Sequence, residues 1–460
     1  MPIPSPELIS RFDAVNPSYA SYPTADRFVG AFAAKQVSQA LAQRQHQAAA
    51  MVLPLSIYVH IPFCESVCHH CALNKIVTTH HENGQTYLRY LSREVDLHTR
   101  HLGMGQRVCQ LHLGGGSPTF LSDSELRELM KMLHRSFSLA PNGEYLIEVD
   151  PRTVDAARLT TLAELGFNRL SFGVQDFDAA VQQAIHRVQP VERVFSLVES
   201  ARALGFKSVN LEIMFGLPRQ TPESFDHTLD QITRLRPDRI ALHAYSHFPQ
   251  RFKSQRRILP AELPTDGARR LMLSRSLSAF QKAGYVHVGM DFFALPGDSL
   301  AVAKRQGRLH RNVQGYSAQP DCDLISLGVS AIGRVGASYS QNAQTLEAYY
   351  DCLDQGHLPV VRGLALTRDD LVRRSVIMAL ICQGQLEFES INLAHLIDFK
   401  SYFSAELIIL LGMQAEGLVE VSDTDLQITA MGWYFARSVA AVFDRYLQAD
   451  HTREKLSSIT

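Results

Sequence analysis

Cys64, Cys68 and Cys71 stand as C-x-x-x-C-x-x-C directly after an apolar run, Leu53 to Val59. Three thiolates this close together can hold three irons of a cubane cluster and leave the fourth iron without a protein ligand. An open iron is a Lewis-acid position able to chelate a small molecule, whereas a cluster built only to carry electrons normally takes four cysteines. Two other readings compete. Zinc would want a fourth protein ligand, which His60, His69 or His70 could supply. A disulfide with one spare thiol suits the chain less: no secretory leader is evident, and Cys109, Cys322, Cys352 and Cys382 are scattered, a usage that fits a reducing cytoplasm.

Residues able to surround a ligand on such an iron recur downstream, each time at the end of an apolar segment. Leu113-Gly-Gly-Gly-Ser-Pro-Thr119 closes one. Glycines there let the backbone approach a ligand and expose amides to it, although a plain turn also explains the run. Glu148-Val-Asp-Pro-Arg152 closes the next, and two acids beside an arginine are costly if buried unpaired. An internal ion pair is the competing account. Gly173-Val-Gln-Asp-Phe177, with His186-Arg187 after it, and Asn210-Leu-Glu212, with Gly216-Leu-Pro218 after it, continue the series. A core explains one or two polar strand ends; a ring of ligand contacts explains them all. Basic residues concentrate in Arg251-Phe-Lys-Ser-Gln-Arg-Arg257 and Lys304-Arg-Gln-Gly-Arg-Leu-His-Arg311. They are either solvated surface or recognition of a substrate with several carboxylates, which guanidinium groups pair bidentately.

Such positions need a scaffold that gathers successive strand ends. Residue patterning predicts strands at 55–60, 108–113, 144–149, 168–173, 207–214, 239–245 and 285–289, and helices at 84–101, 122–137, 153–165, 190–205, 221–235 and 266–283. Ser122 ahead of Glu125 and Thr221-Pro222-Glu223 mark helix starts. Gly166, Gly205 and Gly284 are placed as C-terminal caps. Strands alternating with helices imply parallel β-α units with right-handed crossovers, six or seven of them, as a full or partial barrel or a doubly wound sheet. In either, chemistry sits at the carboxyl ends of the strands, where the cysteine motif falls. Residues 1–50 read as an arm with a helical pattern at 34–48. Beyond about 365 the character changes: helices at 366–381, 405–416 and 431–447, with a hairpin at 417–429, suggest a small winged-helix-like domain. Asp423 and Asp425 at the hairpin tip argue against DNA contact, so a lid over a substrate site is expected. The 460 residues suit one large and one smaller domain. A net charge of −1 provides no field for nucleic acid or an anionic membrane. No apolar run approaches the ~18 residues of a membrane span.

Together, the cysteine spacing, the glycine-rich strand end and the strand–helix alternation resemble the radical SAM superfamily. In that superfamily three cysteines hold a 4Fe–4S cluster, the open iron binds the amine and carboxylate of S-adenosylmethionine (SAM), and reduction yields a 5′-deoxyadenosyl radical. More closely, Ser21-Tyr-Pro-Thr-Ala25, Tyr58-Val-His-Ile-Pro-Phe-Cys64, Asn74-Lys-Ile-Val77, Glu148-Val-Asp-Pro-Arg152, Gly173-Val-Gln-Asp-Phe177, Gly216-Leu-Pro218, Gly289-Met-Asp291, His310-Arg-Asn-Val-Gln-Gly315 and Gly328-Val-Ser-Ala-Ile332 all look like the oxygen-independent coproporphyrinogen III oxidase (dehydrogenase) family, over essentially the whole chain.

That resemblance implies an α/β fold: an incomplete (β/α) TIM-like barrel of radical SAM type with an N-terminal arm (1–50), the barrel (51–295), an extension with substrate and SAM contacts (296–364) and a small, mainly helical, winged-helix-like C-terminal lid (365–460). It implies Cys64, Cys68 and Cys71 as ligands of a 4Fe–4S cluster and Tyr58 and Glu148 as catalytic positions. Tyr58, Gly115, Gly116, Ser117 and Glu148 match contacts to the cluster-bound SAM. Gln175, Arg187, Glu212, Ser246 and Ile332 match further SAM contacts, and His70, Ala72 and Gln314 lie near a second SAM. The implied reaction removes hydrogen from the β-carbon of a propionate, then CO₂ and one electron, leaving a vinyl group. Done twice, this turns coproporphyrinogen III into protoporphyrinogen IX, with a low-potential electron donor, in a cytoplasmic monomer. A relative acting on another tetrapyrrole, or a haem-handling protein that kept the cluster, is the alternative. The chain departs from the family's pattern at Leu73, in place of a non-ligating cysteine, at Ser18, in place of an arginine, and at His70, Glu212 and Ser246.

Overall fold

The computed structural model describes residues 5–12, 17–46 and 53–450. The last residues of the helix expected at 34–48, and the outer parts of the arm and of the C-terminal domain, lie outside these limits.

Six parallel strands form the centre of one sheet: β1 (Leu55–Ile61), β2 (Gln106–Gly115), β3 (Phe137–Val149), β4 (Arg169–Gln175), β5 (Ser208–Phe215) and β6 (Arg239–Ala244). Helices connect them: α1 (Glu82–Leu102), α2 (Asp123–Ser136), α3 (Ala156–Glu164), α4 (Val191–Ala203) and α5 (Pro222–Leu235), with α6 (Asp266–Lys282) following β6. The helix boundaries follow from local chemistry. Ser122 accepts from the Glu125 amide while the Glu125 carboxylate takes the Ser122 amide at 2.8 Å, a reciprocal cap that starts α2. Gly166, Gly205 and Gly284 all adopt positive φ just past their helices.

The seventh predicted strand departs from the parallel series. Residues 286–289 form β7 (Val286–Gly289), the outer arm of a hairpin with β8 (Phe292–Ala294); β8 runs antiparallel to β6. The reversal occurs at Met290, which has φ +44°. At the other flank β9 (Leu324–Leu327) pairs parallel with β1, and β10 (Ile332–Val335), β11 (Ser338–Asn342) and β12 (Val360–Ala365) continue antiparallel. The order is β12-β11-β10-β9-β1-β2-β3-β4-β5-β6-β8-β7, with β12 and β7 as separate edges, so the barrel is incomplete.

The two faces of the sheet differ in kind. Ile57, Val59, Leu111, Leu113, Ile147, Leu170, Phe172, Leu211 and Ile213 enter the core beneath the helices. The alternate residues on the other face are polar and bond across strands: Ser56 to Gln110 (3.0 Å), His112 to Glu148 (2.9 Å), Asn210 to Ser171 (2.8 Å) and Ser171 to Glu212 (2.6 Å). A closed (β/α) barrel fills its interior with branched apolar layers. A polar inner face instead suits a cavity. Its floor is an ion network in which Arg169 binds Glu144 (2.8 Å), Arg239 binds Asp298 (2.9 Å), and Ser299 bonds to both Arg169 and Glu144.

The C-terminal region has its own three-stranded sheet, Gln385–Glu387, Asp425–Ile428 and Val419–Val421 in spatial order, packed with helices Arg368–Gln383 and Ser404–Ala415. The final helix expected at 431–447 is broken: a 3₁₀ turn (Gly432–Phe435) leads into Ala436–Ala441, and the chain turns at 442–444. A second apolar core unites this region with Tyr19 and Tyr22 of the arm and with Val288, Ala294 and Leu300 beside the sheet edge. Among the described residues no helix is long and apolar enough to cross a membrane.

Candidate active site

The cysteine loop begins where β1 ends. Phe63–Cys64 pairs parallel with Ile76–Val77, closing residues 65–75 into a loop over the strand ends. Neighbouring segments clasp it. The His69 amide donates to Ile185 (2.9 Å), and the His69 ring stacks on His186 at 5.2 Å. Ser254 bonds the Cys71 carbonyl (2.9 Å), and Gln255, fully buried, bonds the His70 carbonyl (3.1 Å). The first basic loop clasps the site through Ser254 and Gln255, and the exposed Arg257 reaches His69 Nε2 at 3.5 Å; Arg251 and Arg256 are exposed.

All three loop cysteines are free thiols. The Arg152 and Arg187 guanidiniums each approach Cys68 Sγ at 3.5 Å. Asp150 bridges the two arginines, at 2.7 Å from Arg152 and 3.2 Å from Arg187. Burial pushes the Asp150 carboxyl up, but Arg187 and Arg152 outweigh it and hold it below the usual range. Burial, followed by the neighbouring Cys71 and Cys68, pushes the Cys64 thiol up to about 12. A thiol that resists ionising beside two others is what a polycation stabilises as a thiolate.

The three glycines at the end of β2 are required by close approach. A side chain at Gly114 would meet the Glu148 carboxylate at 2.6 Å, and one at Gly116 the Pro62 carbonyl oxygen at 2.6 Å; Gly115 has φ +119°. The expectation that their amides are exposed to a ligand is corrected here. The Gly116 amide donates to Ile61 and the Ser117 amide to Phe63, both at 2.8 Å, and the Gly115 amide donates to Glu148 at 3.3 Å. The run stitches β2 to the cysteine strand and fixes Glu148, whose other oxygen accepts from His112. Tyr58 lies edge-on to His112 at 5.4 Å, and its hydroxyl is 3.2 Å from His60 Nδ1. Burial, then Glu148, raise the Tyr58 phenol well above its ordinary value, so it stays protonated.

An open cleft brings together Cys64, Cys68, Cys71, His70, Gly115, Gly116, Ser117, Glu148, Gln175, Arg187 and Glu212. Gln175 has φ +70°, where a non-glycine residue is strained, at a bulge between β4 and β5. Burial, then Glu148, push the Glu212 carboxyl up. Tyr58 is not part of the cleft lining but adjoins it through His112. Ala72 and Ser246 are exposed outside the cleft; the Ser246 carbonyl shares the Gln255 amide with His70. Gln314 is tied to the β1 backbone at Ile57 (3.0 Å), and Ile332 lines a separate small cleft with Asn312 and Arg334. Leu73, 58% exposed, stands at the rim. The cleft also uses Asp150, Arg152 and Ser171. The first two belong to the Glu148–Arg152 motif, and Ser171 follows from alternation along β4.

The donor set suits a 4Fe–4S cluster better than a zinc ion. His60 Nε2 donates to the Asn74 carbonyl and His69 Nδ1 to the Ala184 carbonyl, at 3.1 Å each. Among the described residues no three His, Cys, Asp or Glu side chains close around a point as a single ion requires. The other four cysteines are remote: Cys109 and Cys322 face one another across 3.5 Å, Cys382 is in the C-terminal core and Cys352 is on helix Leu346–Asp354.

Comparison with known proteins agrees. The Radical SAM superfamily profile matches residues 58–232. The sheet and its three-cysteine loop thus define the chain as a radical SAM protein, and that superfamily implies a 4Fe–4S cluster and SAM. The chain is 46% identical to the oxygen-independent coproporphyrinogen III oxidase of Pseudomonas aeruginosa, over 96% of its own length and 95% of the relative. It is 41% identical to the enzyme of the same name from Escherichia coli, over 98% and 97%. A solved structure, coproporphyrinogen III oxidase (HemN) from Escherichia coli, superposes with a TM-score of 0.89 at 42% identity, covering 93% of this chain and 97% of that one. The chain belongs to the oxygen-independent coproporphyrinogen III oxidase family.

Proposed function

We propose that this chain oxidatively decarboxylates two propionate side chains of coproporphyrinogen III to vinyl groups, giving protoporphyrinogen IX. The observation that carries the reading is the extent of the match. The superfamily profile stops at residue 232, yet identity to the oxidases runs over almost the entire chain, including the segments that would meet a substrate. In this reading Cys64, Cys68 and Cys71 hold the cluster, and Gly115, Gly116, Ser117, Glu148, Gln175, Arg187 and Glu212 hold SAM. His70, Ala72, Ser246, Gln314 and Ile332, with Tyr58, serve the same SAM or a second one. Held by these residues, a reduced cluster with SAM would supply the radical chemistry needed to remove hydrogen at a propionate β-carbon.

The protein's own part is to position and to exclude. Arg152 and Arg187 hold the Cys68 sulfur between them, and Asp150 keeps both guanidiniums in place. His112 and the Gly115 amide fix the Glu148 carboxylate, which would receive a cationic group of SAM. Glu212, raised by burial, holds a proton more readily beside it. The C-terminal region serves as a lid that keeps water and oxygen from the reactive carbon. A low-potential donor supplies the electron, and the setting is the cytoplasm, as a monomer. The test is an anaerobic assay of reconstituted protein with SAM, a reductant and coproporphyrinogen III. Protoporphyrin and 5′-deoxyadenosine should appear together. Deoxyadenosine alone would point to another tetrapyrrole, and neither product would overturn the reading.

A further inference from the structure

A second charged cluster lies between the β6–β8 edge and the C-terminal helices. Arg311, in the short strand His310–Asn312, is 8% exposed, and among the described residues neither its Nε nor its Nη1 meets a hydrogen-bond acceptor. Its guanidinium rests 4.7 Å from the centre of the Tyr316 ring. Phe292 stands edge-on to Tyr316 (5.5 Å) and to His243 (6.2 Å), which joins these groups into one patch. The acid of the patch, Asp291, is already engaged: Arg437 Nη2 binds its oxygens at 2.8 and 2.6 Å, and His243 Nδ1 lies 3.9 Å away. Asp291 thus serves Arg437 and His243 first, and a buried guanidinium with no hydrogen-bonded anion of its own is costly. Lys304 of the same basic loop differs, because it is satisfied by the His287 carbonyl and the Trp433 ring.

The patch is not sealed. His243, Arg437 and Asp291 keep 39%, 36% and 27% of their side-chain surface accessible. His243 is on the strand beside Glu212, with which it interacts electrostatically, so the patch adjoins the cysteine cleft. It sits on the β6–β8 side, whereas the thiols stand over β1 and β2.

We propose that Arg311, backed by Arg437 and His243, forms a carboxylate subsite that anchors a propionate of the porphyrinogen other than the one being decarboxylated. The inference rests on the tetracarboxylate substrate proposed above. The test measures fluorescence binding of coproporphyrin III, as tetra-acid and as tetramethyl ester, to reconstituted wild type, Arg311→Met and Arg311→Lys, each with iron content checked. Wild type should prefer the acid. Arg311→Met should weaken acid binding about 10- to 100-fold and leave ester binding unchanged, with Arg311→Lys between them. In turnover the loss should fall on KM more than on kcat. Equal wild-type affinity for acid and ester overturns the subsite without any variant. So does Arg311→Met or Arg311→Lys with wild-type acid affinity, provided wild type converts coproporphyrinogen. Wild type that neither binds nor converts it overturns the function and the subsite together.

Discussion

Substituting alanine at Gly116 should loosen the cysteine loop without touching a thiol. The added Cβ would lie 2.6 Å from the Pro62 carbonyl oxygen, 2.7 Å from its carbon and 2.8 Å from the Phe63 oxygen. These are backbone atoms, so no rotamer relieves the contact. Restoring ordinary contact moves the strand before Cys64 by about 0.8 Å, and overpacking on this scale costs about 1–3 kcal/mol. The same movement strains the bonds from Gly116 to Ile61 and from Ser117 to Phe63. A misplacement approaching 1 Å near the chemistry lowers rate by about 10²-fold. Gly412 in helix Ser404–Ala415 is the control: among the described residues a Cβ there meets nothing within 4 Å, and Gly412→Ala should stabilise by about 0.5–1 kcal/mol. Thermal denaturation, bound iron and turnover are measured on both variants. Gly116→Ala with wild-type melting temperature, iron and rate would refute the claim that the glycine run fixes the loop by close packing.

Alanine at Cys64, Cys68 or Cys71 should each abolish the visible absorption and bound iron of reconstituted protein, whereas Cys109→Ala and Cys322→Ala should keep both. Gln255→Ala removes the bonds to the His70 and Ser246 carbonyls and from the Phe248 amide, so a chelator should extract iron several-fold faster than from wild type. Glu94 carries a pH dependence unrelated to catalysis. Burial lifts it from 4.5 to about 7, despite bonds from Tyr349, Gly328 and Asn342. The folded chain therefore holds that proton more tightly than the unfolded one. Its contribution to stability is complete below pH 4.5 and is lost as pH rises through 7, on the order of 3 kcal/mol. Denaturant titrations at pH 5 and pH 8 should show this loss in wild type and not in Glu94→Gln.

Much of the scaffold can be read from residue order, because each β-α unit is local. Ser122–Glu125 starts a helix, Gly166 ends one, and Ser56-Ile-Tyr-Val-His60 alternates as a strand with one polar face. The cleft follows where polar residues fall at strand ends, as with Glu148, Gln175 and Glu212. What escapes the sequence is set by pairing between distant segments. The hairpin at 286–294 looks like another parallel unit until Met290 turns it back onto β6. The amides of Gly116 and Ser117 look available until Ile61 and Phe63 accept from them. Arg311 is one basic residue among several by composition, and only its burial between the sheet edge and the C-terminal helices sets it apart.

The most direct test uses coproporphyrinogen III deuterated at its propionate β-carbons, incubated anaerobically with the reconstituted enzyme, SAM and a reductant. The account predicts deuterium in the recovered 5′-deoxyadenosine, with two labelled molecules formed for each protoporphyrinogen IX. Protoporphyrinogen formed alongside unlabelled deoxyadenosine, or with none, would contradict it.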